Sequence, residues 1–176
     1  MAKWTVDASH TSVGFSVKHM MVSKVKGSFG AIEGSLDGNP EDLTEAKIDF
    51  KIDAASINTN NTDRDNHLRS GDFFDTETYP NITFISTEIV KKDSDEYKIT
   101  GDMTIKDVTK KVTFKAEYEG KGTNPWGVDV AAFEVKGKIS RKEFGLTWNQ
   151  TLEAGGVLVG DDIKISIDLQ LNPAQE

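Results

Sequence analysis

The chain contains no cysteine. That excludes a disulfide framework, a thiolate metal site and a thiol nucleophile together. Positive charge is also scarce: 21 Lys and Arg stand against 29 Asp and Glu, a formal net charge of −8. Such a balance repels phosphate backbones, and pairs such as Lys110-Lys111 are too small to reverse it locally, so nucleic acid is not an expected partner. No apolar run approaches the length of a bilayer-spanning helix, so no stable membrane insertion is expected. The first residues, MAKWTVDASH, lack the apolar core of a secretory signal, and the expected location is cytoplasmic. Also missing are an HExxH pair, a GxSxG elbow and a glycine-rich phosphate loop opening a helix. The sequence makes no positive case for an enzyme or for a cofactor.

What is present is ordinary globular material. Thirty-six per cent hydrophobic and 28% charged residues over 176 positions suffice to bury one core. No repeat, low-complexity tract or linker divides the chain, so one domain is expected over residues 1–176.

Alternation with period 2 recurs from end to end. Val13, Phe15 and Val17 share one face, and Ala46, Ile48, Phe50 and Ile52 do the same. Val112, Phe114, Ala116 and Tyr118 form a third set, and Ile163 through Leu171 at odd positions a fourth. Further strands are predicted at about 29–36, 81–90, 97–105 and 127–139. Clusters such as LDGNPED, KKDSDE and EGKGTNP read as the turns between them. Many strands with one apolar and one polar face, and few helices to cover a sheet, predict an all-β antiparallel barrel of eight strands or slightly more. Closure removes exposed edges, and Gly14, Gly30, Gly34 and Gly137 suit bends or bulges in a coiled sheet.

One segment breaks the pattern. NTDRDNHLRSG predicts a single short helix at about 62–70, with Thr62 opening a capping box, an Asp65–Arg69 pair and Gly71 as a left-handed stop. Two turns are not stable alone, so tertiary contacts must hold them. Arg64, His67 and Leu68 lie on one side, and Phe73, Phe74 and Tyr79 follow. Such a unit could lid a barrel end with Arg64 and His67 near the opening; alternatively these two side chains merely pair with carboxylates such as Asp63 or Asp72. The three histidines, His10, His19 and His67, have no metal-ligand spacing. The second irregular stretch, 140–162, sets Phe144, Leu146 and Trp148 at alternate positions before Gly155-Gly156, and reads either as a packed strand end or as a cavity mouth.

Taken in order, WTVDASHTSVGFSVKHMMVSKVKGSF, NTDRDNHLRSGDFFDTETYPNITFIS, ITGDMTIKDVTKKVTF, SRKEFGLTWN and GGVLVGDDIKISIDL resemble the successive signatures of the YceI-like family, from Trp4 to about Leu169. The resemblance implies a lipocalin-like barrel around an elongated apolar channel that holds an isoprenoid or similar amphiphilic lipid, without catalysis, for storage, transport or stress response. Carried over by position, it implies His10, His19, Arg64 and His67 near the opening. Phe15, Val17, Phe84, Phe144 and Trp148 are the channel-lining candidates. Two other readings stand beside it: an enzyme on a lipid-like substrate with His67 or His19 as acid/base, and a structural or stress protein whose interior is filled. Many family members are exported, whereas this sequence starts almost directly in its first predicted strand. Pairing into a homodimer stays open.

Overall fold

Alternating faces leave each strand with an oily side to bury, and the chain buries them against one another by closing a single antiparallel sheet. The computed structural model describes residues 3–19, 23–146 and 159–174. In chain order its strands are β1 (Lys3–Val6), β2 (Ser12–His19), β3 (Ser23–Phe29), β4 (Ile32–Asn39), β5 (Asp42–Asp53) and β6 (Ile57–Asn58). After helix α1 (Thr62–Arg69) come β7 (Asn81–Lys91), β8 (Glu96–Ile105), β9 (Val108–Thr123), β10 (Asp129–Ser140) and β11 (Val159–Pro173).

The sheet runs β1-β4-β5-β7-β8-β9-β10-β11, and β1 pairs back onto β11, so eight strands form a closed barrel. The long β11 serves two partners along one edge. Its first part carries β2 from Ile163↔Val17 to Asp168↔Ser12, and its last residues carry β1 from Leu171↔Val6 to Pro173↔Trp4. β3 and the short β6 extend from β2, the last pairing made by only two residue pairs, so one end of the barrel is a fully paired, tight ring and the other, the splayed end, is more loosely paired. Asp7 ties the seam at the tight end, facing Ser9, His10, Gln170 and Asn172.

The observed strands include all those predicted, with two differences. The 29–36 segment is not one strand: β3 ends at Phe29 and β4 starts at Ile32. Ser56 makes the break by accepting from the backbone N–H groups of Gly30 and Ala31 at 3.1 and 3.2 Å. The glycines also act otherwise than expected. Register shifts fall at Asp37/Asn39, Ser86/Glu88, Ala132/Phe133 and Val159/Ile163, away from Gly14, Gly30, Gly34 and Gly137. Gly137 instead makes room for an aromatic ring, since a Cβ there would lie 2.4 Å from Phe114 Cδ1.

The helix falls where predicted, but its ends differ. Asn61, not Thr62, caps it by accepting from the Arg64 N–H at 3.0 Å. Ser70 ends it in an extended conformation, and Gly71 takes no left-handed φ. Asp65 turns inward to Thr59 and does not pair with Arg69, which donates to the carbonyls of Ala55 and Ile57. Among the described residues no helix is long and apolar enough to cross a membrane.

Candidate functional site

The two ends of the lumen are filled differently. At the tight end Trp4, Leu36, Leu43, Tyr97, Phe133 and Leu171 are buried, and only about 50 Å³ is left unfilled. At the splayed end lies a cavity of about 400 Å³. That is within the roughly 300–1,000 Å³ typical of ligand pockets. Phe15 and Val17 of β2, Val25 and Phe29 of β3, and Ile163 and Ile165 of β11 face it, and each is only half-buried although it points inward. Their exposed faces are the vacancy itself.

The roof is α1 with the aromatic turn behind it. Leu68, the sole apolar residue of α1, packs on the core with Phe73 and Phe74, and Phe74 meets Phe29 edge-on at 6.0 Å. A two-turn helix with one apolar residue cannot hold itself down by burial, so polar contacts do so. The buried Asp65 accepts from Thr59 N–H at 2.9 Å and Thr59 Oγ1 at 2.5 Å. Arg64 donates from Nε to Thr59 Oγ1 at 2.8 Å and from Nη2 to Thr59 O at 2.7 Å. Thr59 is thus the pin through which the roof is fastened to the wall.

Polar groups gather at the rim. Lys18 and Asp63 are exposed, Arg64 and His67 half-buried, and all four border the cavity. His67 Nε2 lies 2.8 Å from Asp72 Oδ2, and its ring stands edge-on to Phe73 at 5.1 Å. Both lining roles and local pairing therefore hold for the helix: His67 pairs with a carboxylate, Arg64 binds Thr59, and each still borders the cavity.

Several cavity residues lay outside the sequence candidates, among them Lys18, Val25, Phe29, Thr59, Ile163 and Ile165, and one more is a buried cation. Arg141, 2% exposed, borders the lumen and donates from Nη1 to Leu146 O at 2.6 Å. Burial pushes its pKa down, with Asp161 opposing. Asp161 itself is held by Ser140 Oγ at 2.6 Å and Lys142 N–H at 3.0 Å. Ile139, two residues earlier at the end of β10, also borders the cavity, and Arg141 opens the 3-10 turn Arg141–Phe144 that follows.

The predicted site residues separate into groups. Phe15, Val17, Arg64 and His67 meet at the cavity. Phe84 lies below it, stacked on Phe50 at 5.0 Å and bordering only the small void at the tight end. Phe144 is fully buried in the 3-10 turn Arg141–Phe144 and does not border the cavity. His10 sits elsewhere, exposed at the β1–β2 turn with Nδ1 2.9 Å from Asp7 Oδ2. His19 belongs to β2, but its side chain and all of Trp148 lie outside the described residues. Among the described residues the one grouping of metal-type ligands is Glu117, Glu119 and Glu134 on the outer wall, and Lys136 already pairs with Glu134 at 2.8 Å.

Comparison with known proteins agrees with this architecture. A UPF0312 protein of Staphylococcus aureus (strain USA300) is 42% identical over 173 residues, 98% of each chain. A crystal structure of a Campylobacter jejuni YceI protein is similar at 36% identity and TM-score 0.76, covering 96% of each chain. Burkholderia cenocepacia BcnA shares the fold at 24% identity and TM-score 0.81, covering 94% of this chain and 98% of that one. So does a polyisoprenoid-binding domain from Saccharophagus degradans, at 12% identity and TM-score 0.72, over 99% and 100%. The YceI-like domain model matches residues 4–171, and the chain belongs to the YceI-like family.

Proposed function

We propose that this protein binds, without catalysis, an isoprenoid or similar amphiphilic lipid, its apolar chain in the splayed half of the barrel and its polar end at the rim. One observation carries the reading: the inward faces of Phe15, Val17, Ile163 and Ile165 border about 400 Å³ of apolar space that no described side chain fills. A filled core, as a purely structural protein requires, would leave these side chains fully buried. Each methylene moved from water into such a space contributes roughly 0.8 kcal/mol, so one isoprene unit contributes about 3–4 kcal/mol. Two or three units supply roughly 6–12 kcal/mol, which exceeds the low end of an association cost of roughly 4–15 kcal/mol, and three units approach micromolar affinity at that low end without specific polar contacts. Lys18 and Arg64 border the cavity beside Asp63, so the rim offers cations and a carboxylate to a polar end group.

The family likeness, and the polyisoprenoid-binding domain that shares the fold, support the same reading. An acid/base role for His67 has less behind it, because the imidazole is engaged by Asp72 and Phe73. Native mass spectrometry of protein purified without detergent tests the proposal. A bound apolar mass that extraction removes is the expected result; a spectrum of bare polypeptide, with no mass gained across a panel of prenyl and acyl lipids, would overturn it.

A further inference from the structure

The cavity has a built floor. Phe50 and Phe114 border both the large cavity and the small void at the tight end, so their rings stand between the two. Phe84 locks them: it stacks on Phe50 at 5.0 Å and meets Phe114 edge-on at 5.3 Å. Two glycines make room for two of the rings. A Cβ on Gly101 would lie 2.6 Å from Phe84 Cζ, and one on Gly137 would lie 2.4 Å from Phe114 Cδ1, so each ring occupies the place of a missing side chain. Phe84 and Phe114 are thus seated in the wall of the sheet, and Phe50 stacks on Phe84 between the cavity and the void.

Resting on the lipid-binding reading, we propose that the Phe50–Phe84–Phe114 partition makes this a site for short chains, of two to three isoprene units, and sets that length. A cavity of about 400 Å³, with a methylene taken as close in size to a water and its liquid share of about 30 Å³, holds roughly thirteen such groups, the size of a ten- to fifteen-carbon chain. Longer chains must leave their excess at the rim, in water, where it adds nothing to affinity. Phe50 and Phe114 are therefore specificity-determining residues, acting through the depth they allow.

The test is a calorimetric series of isoprenoid alcohols with one to eight units, on the wild-type protein and on Phe50→Leu and Phe114→Leu. Phe50, half-buried, is the variant more certain to fold, and a thermal melt verifies both. For the wild type, Kd falls at least tenfold per unit up to three units and then stays level within a factor of about two. Opening the floor joins the void of about 50 Å³ to the cavity, room for roughly two more groups, so in a parallel series of straight-chain alcohols stepped one carbon at a time the levelling moves out by about two carbons. Affinity that keeps rising to eight units in the wild type overturns the length limit while leaving lipid binding intact. A levelling point unmoved in folded variants overturns the role of the rings. No binding at any length overturns both this inference and the reading it rests on.

Discussion

The two halves of this barrel are built from the same alternating strands and come to opposite ends. Along β11, Ile167 and Leu171 are buried, whereas Ile163 and Ile165 on the same face are only half-buried. The difference lies in what meets them across the lumen. At the tight end β1 closes the ring, Trp4 fills it, and Tyr97 reaches across to donate to Glu41 O at 3.2 Å. At the splayed end β3 is joined to β6 by two residue pairs, and a polar helix roofs the cavity with one leucine, so side chains do not fill the space. Stability and binding are thus assigned to different stretches of the same strands.

Ring deletions should separate the halves most sharply. Phe84→Ala leaves a hole in packed floor and should destabilise by about 3–5 kcal/mol in urea unfolding. Phe15→Ala, whose ring already borders empty space, should lose only about 1 kcal/mol. Equal losses would break the comparison. Added methyl groups come next. Gly27→Ala and Gly137→Ala each place a Cβ 2.4 Å from a phenylalanine ring atom, of Phe15 and Phe114 respectively. Phe114 is buried and packed edge-on against both Phe50 and Phe84, so Gly137→Ala should cost about 1–3 kcal/mol in overpacking. Phe15 can turn into the cavity, so Gly27→Ala should cost less and weaken ligand binding instead.

The smallest effect concerns pH and the tight end alone. The Ser9 hydroxyl above all, then His10 and Asn172, hold the Asp7 carboxyl down at about 2, against the opposing effect of burial. A carboxyl depressed by folding stabilises the fold fully above its unfolded value, ordinarily 3.8. That contribution fades as pH falls through about 2. Asp7→Asn should therefore lower Tm slightly at neutral pH and flatten its decline between roughly pH 4 and 2. An unchanged acid profile would show that the seam does not depend on this carboxylate.

How far these halves could be read from sequence depended on whether contacts were local. Strand faces were legible because parity is a local property: Val13, Phe15 and Val17 point inward as predicted. The helix was legible from the same kind of signal, although its cap moved one residue to Asn61. β3 was harder, because Gly27 interrupts the apolar face of SKVKGSF. Its Cβ would strike Phe15 on the neighbouring strand, so that glycine answers to a partner remote in sequence. The split of the lumen into a filled and a vacant half was illegible for the same reason. Phe84 and Phe15 look alike in their strands, and only the register across the sheet puts one in the floor and the other in the wall. Arg141 was illegible because it lies just past β10, in a 3-10 turn where strand parity no longer applies.

The most direct measurement of vacancy at the splayed end is a titration of delipidated protein with a three-unit isoprenoid alcohol, by calorimetry at several temperatures. Burial of an apolar chain in that space should give a saturable 1:1 heat whose enthalpy falls with temperature, a negative heat-capacity change. No saturable heat at any temperature, from protein that melts cooperatively, would mean that the lumen accepts nothing.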